Sequence, residues 1–135
     1  MLYALAIFCT GGLGSVLRYL SDSSLRARFE SHPLGLWITP TVIINIVGSL
    51  LYGVLAACAY NPRLESATAQ TLSVLMLGFL GGFTTFSTAM VEAVQALAQR
   101  AYYRFFILWA GQLMLAVVFV SLSYILTMQI LSSLR

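Results

Sequence analysis

Long apolar runs dominate the chain, and the charged residues fall between them. Residues 1–17, 34–62, 66–91 and 105–134 contain no Asp, Glu, Lys or Arg. A helix crossing the roughly 30 Å hydrocarbon layer needs about 20 apolar residues. Three of the runs exceed that. The first does so if Arg18 sits at the membrane surface with its stem along apolar neighbours. The pattern predicts four transmembrane helices near 2–20, 34–60, 67–97 and 104–132. Short loops join them, and 1–135 reads as a single four-helix transmembrane domain.

Composition agrees with that pattern. The chain is 60% hydrophobic and 8% charged, whereas about a quarter of a soluble domain is charged. Disorder is excluded by the same figures, because it needs low hydrophobicity and high net charge. The net charge of +3 points to no nucleic acid, since the arginines are scattered over helix ends and form no patch. A secretory signal peptide fits poorly. No cation precedes Leu2, and Gly11, Gly12 and Gly14 interrupt the stretch where its apolar core should continue. Cys9 and Cys58 both lie in apolar spans and read as small packing residues. His32 is the lone histidine and lies outside the deep parts of the spans, which argues against axial haem ligation.

Four spans put both termini on one side, together with the second loop. That side carries Arg63 and Arg135; the other carries Arg26, Arg28, Arg100 and Arg104, with Arg18 at its edge. The positive-inside rule then places loops one and three in the cytoplasm, by a modest margin. Four short helices hardly enclose an aqueous path, so a dimer is expected.

Polar groups inside a bilayer are costly and have a partner or a task. In the first span Gly11 and Ser15 form a small-xxx-small pair suited to close helix packing. Arg18 reads either as an interfacial anchor or as a cation that draws anions to a vestibule. In the second span Asn45 is a bare amide among β-branched aliphatics. Gly48, Ser49 and Tyr52 follow it at three, four and seven residues and share its face, which suits a helix interface or a narrow pore wall. The third span carries Gly81-Gly82 followed by Thr84-Thr85-Phe86-Ser87-Thr88 in the middle of an apolar run. Glycine and threonine both weaken a helix, so a break is predicted there. A break at membrane depth is tolerated where it is buried or lines a cavity, and its freed carbonyls and N–H groups can meet ions. The competing reading is a continuous helix with threonines bonded back to their own turn. Glu92 lies near the end of this span, either functional or reaching the interface. In the fourth span Gln112 is the deep amide, and packing is the expected role for most of the rest. A phosphate-binding loop is excluded, since it requires lysine and the chain has none. No nucleophile–base set or carboxylate pair is visible, so no enzyme is expected.

Residues 11–19 (Gly-Gly-Leu-Gly-Ser-Val-Leu-Arg-Tyr), Asn45 with Gly48-Ser49, and above all 78–88 (Gly-Phe-Leu-Gly-Gly-Phe-Thr-Thr-Phe-Ser-Thr) resemble the CrcB/Fluc family of fluoride channels. The resemblance covers the whole chain in length and span count, and the third-span motif is highly specific. It implies an antiparallel (inverted-topology) dimer in the cell membrane, with two fluoride pores and a structural sodium ion at the dimer interface. By position, Gly81 and Thr84 match the residues whose backbone carbonyls bind that sodium. Asn45 matches the second-helix pore asparagine and Phe86 the first pore phenylalanine. Arg18 matches the first-helix arginine and Glu92 the third-helix glutamate. Ser87 and Thr88 lie in the same motif. Two departures stand out. Ala89 replaces the family's second phenylalanine, and no matching polar set is found on the fourth helix near Leu108 and Gln112. These departures, with the uneven arginine count, raise the reading of one half of a heterodimer beside that of a homodimer.

The residues also suit fluoride on physical grounds. A small, tightly hydrated anion needs hydrogen-bond donors, which Asn45 and the threonine hydroxyls offer. The positive ring edge of Phe86 adds weak contacts, and a bound cation offsets the anion's desolvation. With no nucleotide motif, flux is expected to be passive, exporting fluoride and so protecting against its toxicity. The rival class is a small proton-coupled multidrug exporter, which wants a carboxylate deep in the first span; none is there.

Overall fold

The computed structural model describes residues 1–29, 38–61 and 65–133. The expected onset of the second span at 34 lies outside them, as do Glu30, His32, Arg63 and Arg135, so the arginine balance between the two sides has no structural counterpart. Among the described residues all regular structure is helical. Four helices are long and apolar enough to cross a membrane: Leu2–Phe29, Pro40–Ala59, Ser66–Ala98 and Tyr102–Ser133. The chain is a multi-pass membrane protein.

The first span, α1 (Leu2–Phe29), runs nine residues past its expected end. Its 28 residues measure about 42 Å at 1.5 Å per residue. The extension is polar and supports itself: Arg26 Nε lies 2.7 Å from Asp22 Oδ2, one turn apart, and Arg26 and Arg28 in the last turn complement the negative helix end. The second span, α2 (Pro40–Ala59), starts where its sequence says a helix can. The Thr39 side chain accepts from the Val42 N–H as N-cap, and Pro40 takes the first helical position, where an N–H is not needed.

The third span is segmented. It comprises α3 (Ser66–Val74), a π-helical stretch Leu75–Leu80, the short α4 (Gly81–Phe83), an extended pair Thr84-Thr85, and α5 (Phe86–Ala98). The break falls within the predicted Gly-Gly-Phe-Thr-Thr segment. The fourth span is α6 (Tyr102–Phe106), a second π-helical stretch Ile107–Gly111, and α7 (Gln112–Ser133).

Helix α2 packs chiefly on α7, and α1 crosses the π-helical stretch of the third span and α4. Both crossings rest on small residues that let backbones approach. A Cβ at Gly82 would strike the carbonyl of Gly11, and one at Gly53 would strike Ser123 Oγ and the Val120 carbonyl. Gly53→Ala is therefore expected to lower the melting temperature of the purified protein by several degrees, reflecting overpacking of about 1–3 kcal/mol; a thermal unfolding curve in detergent reads it. A small apolar core of Val42, Ala93, Ala96 and Leu108 lies between α2, α5 and the fourth span. The outward faces of α1 and α7 carry exposed leucines, isoleucines and valines, as expected of a surface that meets lipid or other protein rather than water.

Candidate functional site

The third span opens through a change of hydrogen-bond partners. Thr84 N–H makes the last helical bond, to Leu80 O at 2.9 Å. Thr84 and Thr85 then turn extended, with φ/ψ of −79/159 and −148/121. Thr85 N–H, which would otherwise bond the Gly81 carbonyl, donates to Asn45 Oδ1 at 2.9 Å. Asn45 Nδ2 returns a bond to Thr85 O at 3.0 Å. One side chain thus pairs both backbone groups of the residue at the break, as a neighbouring strand would. The same Nδ2 also donates to Gln112 Oε1 at 3.3 Å.

The freed Gly82 carbonyl is met from α1, by Ser15 Oγ at 3.4 Å and Arg18 Nε at 3.3 Å. Arg18 is half-buried beside the break and lies within α1 rather than at its end, so the helix runs past the expected boundary of the first span. Its charge has a carbonyl to rest on inside the protein. On the other side of the break Thr85 caps α5, its Oγ1 accepting from the Thr88 N–H at 3.3 Å. Thr88 Oγ1 and Ser87 Oγ lie 3.1 and 3.3 Å from that same oxygen. The positive end of α5 therefore faces the break.

Two cavities flank these groups. One, of about 200 Å³, is lined by Asn45, Thr85, Phe86, Ala89, Trp109 and Gln112 among others. Phe86 stands 60% exposed at its edge, whereas Ala89 is buried. The second, of about 300 Å³, is lined by Gly48, Tyr52, Leu80, Gly81 and Thr84 among others. Ser49 and Thr84 face both.

Asn45 and Phe86 thus come together on the first cavity, and Gly81 and Thr84 on the second. Ser87 and Thr88 sit at the α5 cap. Glu92 stands apart, six residues along α5, roughly 9 Å from Phe86 along the axis. Its carboxylate accepts from Thr39 Oγ1 at 2.7 Å and Thr41 Oγ1 at 2.6 Å, with Arg26 at 3.5 Å. It lines a separate polar pocket of about 170 Å³ with Arg26, Gln95, Gln99 and Arg104.

Gln112, the deep amide of the fourth span, has no role assigned from the sequence. It is 7% exposed and lines the first cavity, and its Nε2 is buried with no hydrogen-bond partner among the described residues. An unmet buried donor costs about 1–3 kcal/mol. The signal for it was available: Asn45 and Gln112 are the deep amides of their spans, and amides at membrane depth seek each other. Thr39 and Thr41 were missed as partners of Glu92, because that pairing joins residues far apart in sequence.

The match to a family model described as CrcB-like protein, Camphor Resistance (CrcB), covers residues 5–124. The chain belongs to the CrcB-like family. The protein named fluoride-specific ion channel FluC 1 of Leifsonia xyli is 40% identical over 116 residues, 85% of this chain and 79% of that one. FluC 2 of Cutibacterium acnes is 48% identical over 88 residues, covering 64% and 65%. FluC of Phocaeicola vulgatus is 36% identical over 119 residues, covering 87% and 92%. Each match is to a protein named as an ion channel, which is not an enzyme.

Proposed function

We propose that the protein is a passive, fluoride-selective channel of the cell membrane that lets fluoride leave the cell and so limits its toxicity. The observation that carries this reading is the break at Thr84-Thr85, held open by Asn45 beside a cavity lined by Phe86 and Gln112. A small anion leaving water needs donors and positive potential. The N-terminal end of α5 and the Arg18 guanidinium lie at the break, and the exposed ring of Phe86 offers its edge. The names of the similar proteins supply the ion.

The active form in this reading is an antiparallel dimer with a structural sodium ion between subunits. The residues fit such an ion. Thr85 N–H has turned from Gly81 O to Asn45, Thr84 is extended, and a Cβ at Gly81 would meet nothing within 4 Å. Among the described residues no cluster of three His, Cys, Asp or Glu suggests a different metal, and neutral carbonyls suit a monovalent cation. The Gly81 and Thr84 carbonyls would hold it, with further oxygens from a second subunit. A bound cation would lower the electrostatic cost of bringing anions to the break.

The test is efflux from liposomes containing the purified protein. Potassium fluoride is expected to discharge through the protein once valinomycin balances charge, with potassium chloride retained. Equal chloride release, or no fluoride release, would remove the reading. Expulsion of a cationic dye under a proton gradient would favour the multidrug-exporter class instead. A heterodimer is the second reading, favoured by Ala89: it is buried in the cavity wall and presents no ring beside Phe86. It predicts that the protein purified alone conducts poorly and gains flux with a sister chain.

A further inference from the structure

The third and fourth spans are joined by a tight turn. Arg100 takes a left-handed φ of 57. Its N–H donates to Leu97 O and the Ala101 N–H to Ala96 O, both at 2.9 Å. The chain therefore re-enters the apolar region at once, and Arg104 follows Arg100 by one helical turn. The exposed side chains at this entry are aromatic. Tyr102 and Tyr103 are 59% and 73% exposed, and Phe106 and Trp109 follow further in, also exposed. Tyrosine and tryptophan gather where a membrane meets water, so this ladder sets the lipid headgroup layer at the level of Tyr102 to Arg104.

The polar pocket of about 170 Å³ lies at that level, where Arg26, Glu92, Gln99 and Arg104 meet. Its charges are unequally matched. The Glu92 oxygens are turned to Thr39, Thr41 and Arg26, and Asp22 is also met by Arg26. Arg104 has neither acid. Its Nε is buried without an acceptor among the described residues, and the ion pairs among them all belong to Arg26. The residue as a whole is partly exposed and lines the pocket, so its terminal nitrogens are the ones a guest can reach. An unpaired cation at a membrane edge is costly, and the guanidinium fork matches the oxygens of a phosphate. We propose that this pocket seats the phosphate of an anionic phospholipid, with Arg104 as the principal donor and the exposed Arg100 adding positive potential. The occupant is a lipid because the aromatic ladder sets the pocket at the depth of the headgroups, and the exposed faces of Tyr102 and Phe106 give its glycerol and acyl chains an apolar surface. The site lies apart from the break, so the proposal stands or falls independently of the ion that the protein passes.

The test follows thermal unfolding of the purified full chain in detergent with added phosphatidylglycerol, phosphatidylcholine or sodium phosphate. Phosphatidylglycerol is expected to raise the midpoint in a saturable way, by roughly 4–8 °C, and the other two to leave it in place. No rise with phosphatidylglycerol, or an equal rise with phosphatidylcholine, overturns the proposal. An equal rise with sodium phosphate marks a free-anion site and overturns the lipid assignment. Arg104→Gln is expected to lose most of the rise. Arg28→Gln, exposed in the last turn of α1 and outside the pocket, is expected to keep it. Equal loss in both variants would mean diffuse attraction to a basic surface and overturns the pocket. Should Arg104→Gln fail to fold, native mass spectrometry of the unaltered protein decides. Phosphatidylglycerol is expected to stay bound on release from detergent where phosphatidylcholine dissociates, and the absence of that preference overturns the proposal.

Discussion

Asn45→Leu is expected to abolish fluoride flux and to destabilise the protein more than any other single change at the site. Leucine is similar in size and well suited to a membrane span, so the loss would be chemical rather than steric. The side chain makes three hydrogen bonds, two of them to the backbone of Thr85. Each bond contributes about 0.5–1.5 kcal/mol net, and each buried backbone group stranded by its removal costs about 1–3 kcal/mol. The combined effect, several kcal/mol, is a large fraction of the 5–15 kcal/mol that holds a typical domain together. Thr85 would then recover partners by rewinding toward Gly81, closing the break. The measurement pairs liposome flux, expected to drop more than a hundredfold, with the unfolding midpoint in detergent. Retained flux with an unchanged midpoint would show that Asn45 does not hold the break.

Gly82→Val is expected to separate α1 from the break. A Cβ at this position would overlap the Gly11 carbonyl, and backbone cannot yield as a flexible side chain can. Overpacking of this kind costs about 1–3 kcal/mol. Here it also pulls Ser15 and Arg18 from the Gly82 carbonyl, leaving that oxygen and a half-buried cation unmet. A fall in melting temperature of roughly 5–15 °C, with loss of flux, is expected. Gly12→Ala is the control, because a Cβ there meets nothing within 4 Å; it should leave both readings unaltered. Equal damage from the two substitutions would refute the close crossing.

The spans were legible because charge and hydropathy alternate in long blocks. The break was legible because two glycines and two threonines share one stretch of an apolar run. The end of α1 was not. Arg18 reads from the sequence either as an interfacial anchor or as a cation at a vestibule, whereas its acceptor is a carbonyl that only the broken third span releases, and the polar continuation of α1 is sustained by Asp22 and Arg26. Such reciprocity between spans leaves no mark in either one alone. The π-helical stretches at Leu75–Leu80 and Ile107–Gly111 were likewise unpredicted. Their i→i+5 bonding has no compositional signature comparable to a cap or a proline. Gln112 stands out in the sequence as the deep amide of its span, but nothing there says which residue it bonds; in the structure its oxygen accepts from Asn45. The unmet nitrogen emerges only when three spans are assembled.

Thr84 and Ser49 each line both cavities and so form a common partition between them. A guest that shifts this common partition on one side alters the fit on the other, and linkage requires the influence to be equal in both directions. On the proposed reading, with a sodium ion at Gly81 and Thr84 and fluoride beside Phe86, exchanging the alkali cation of the bathing salt is expected to change the apparent affinity for the anion.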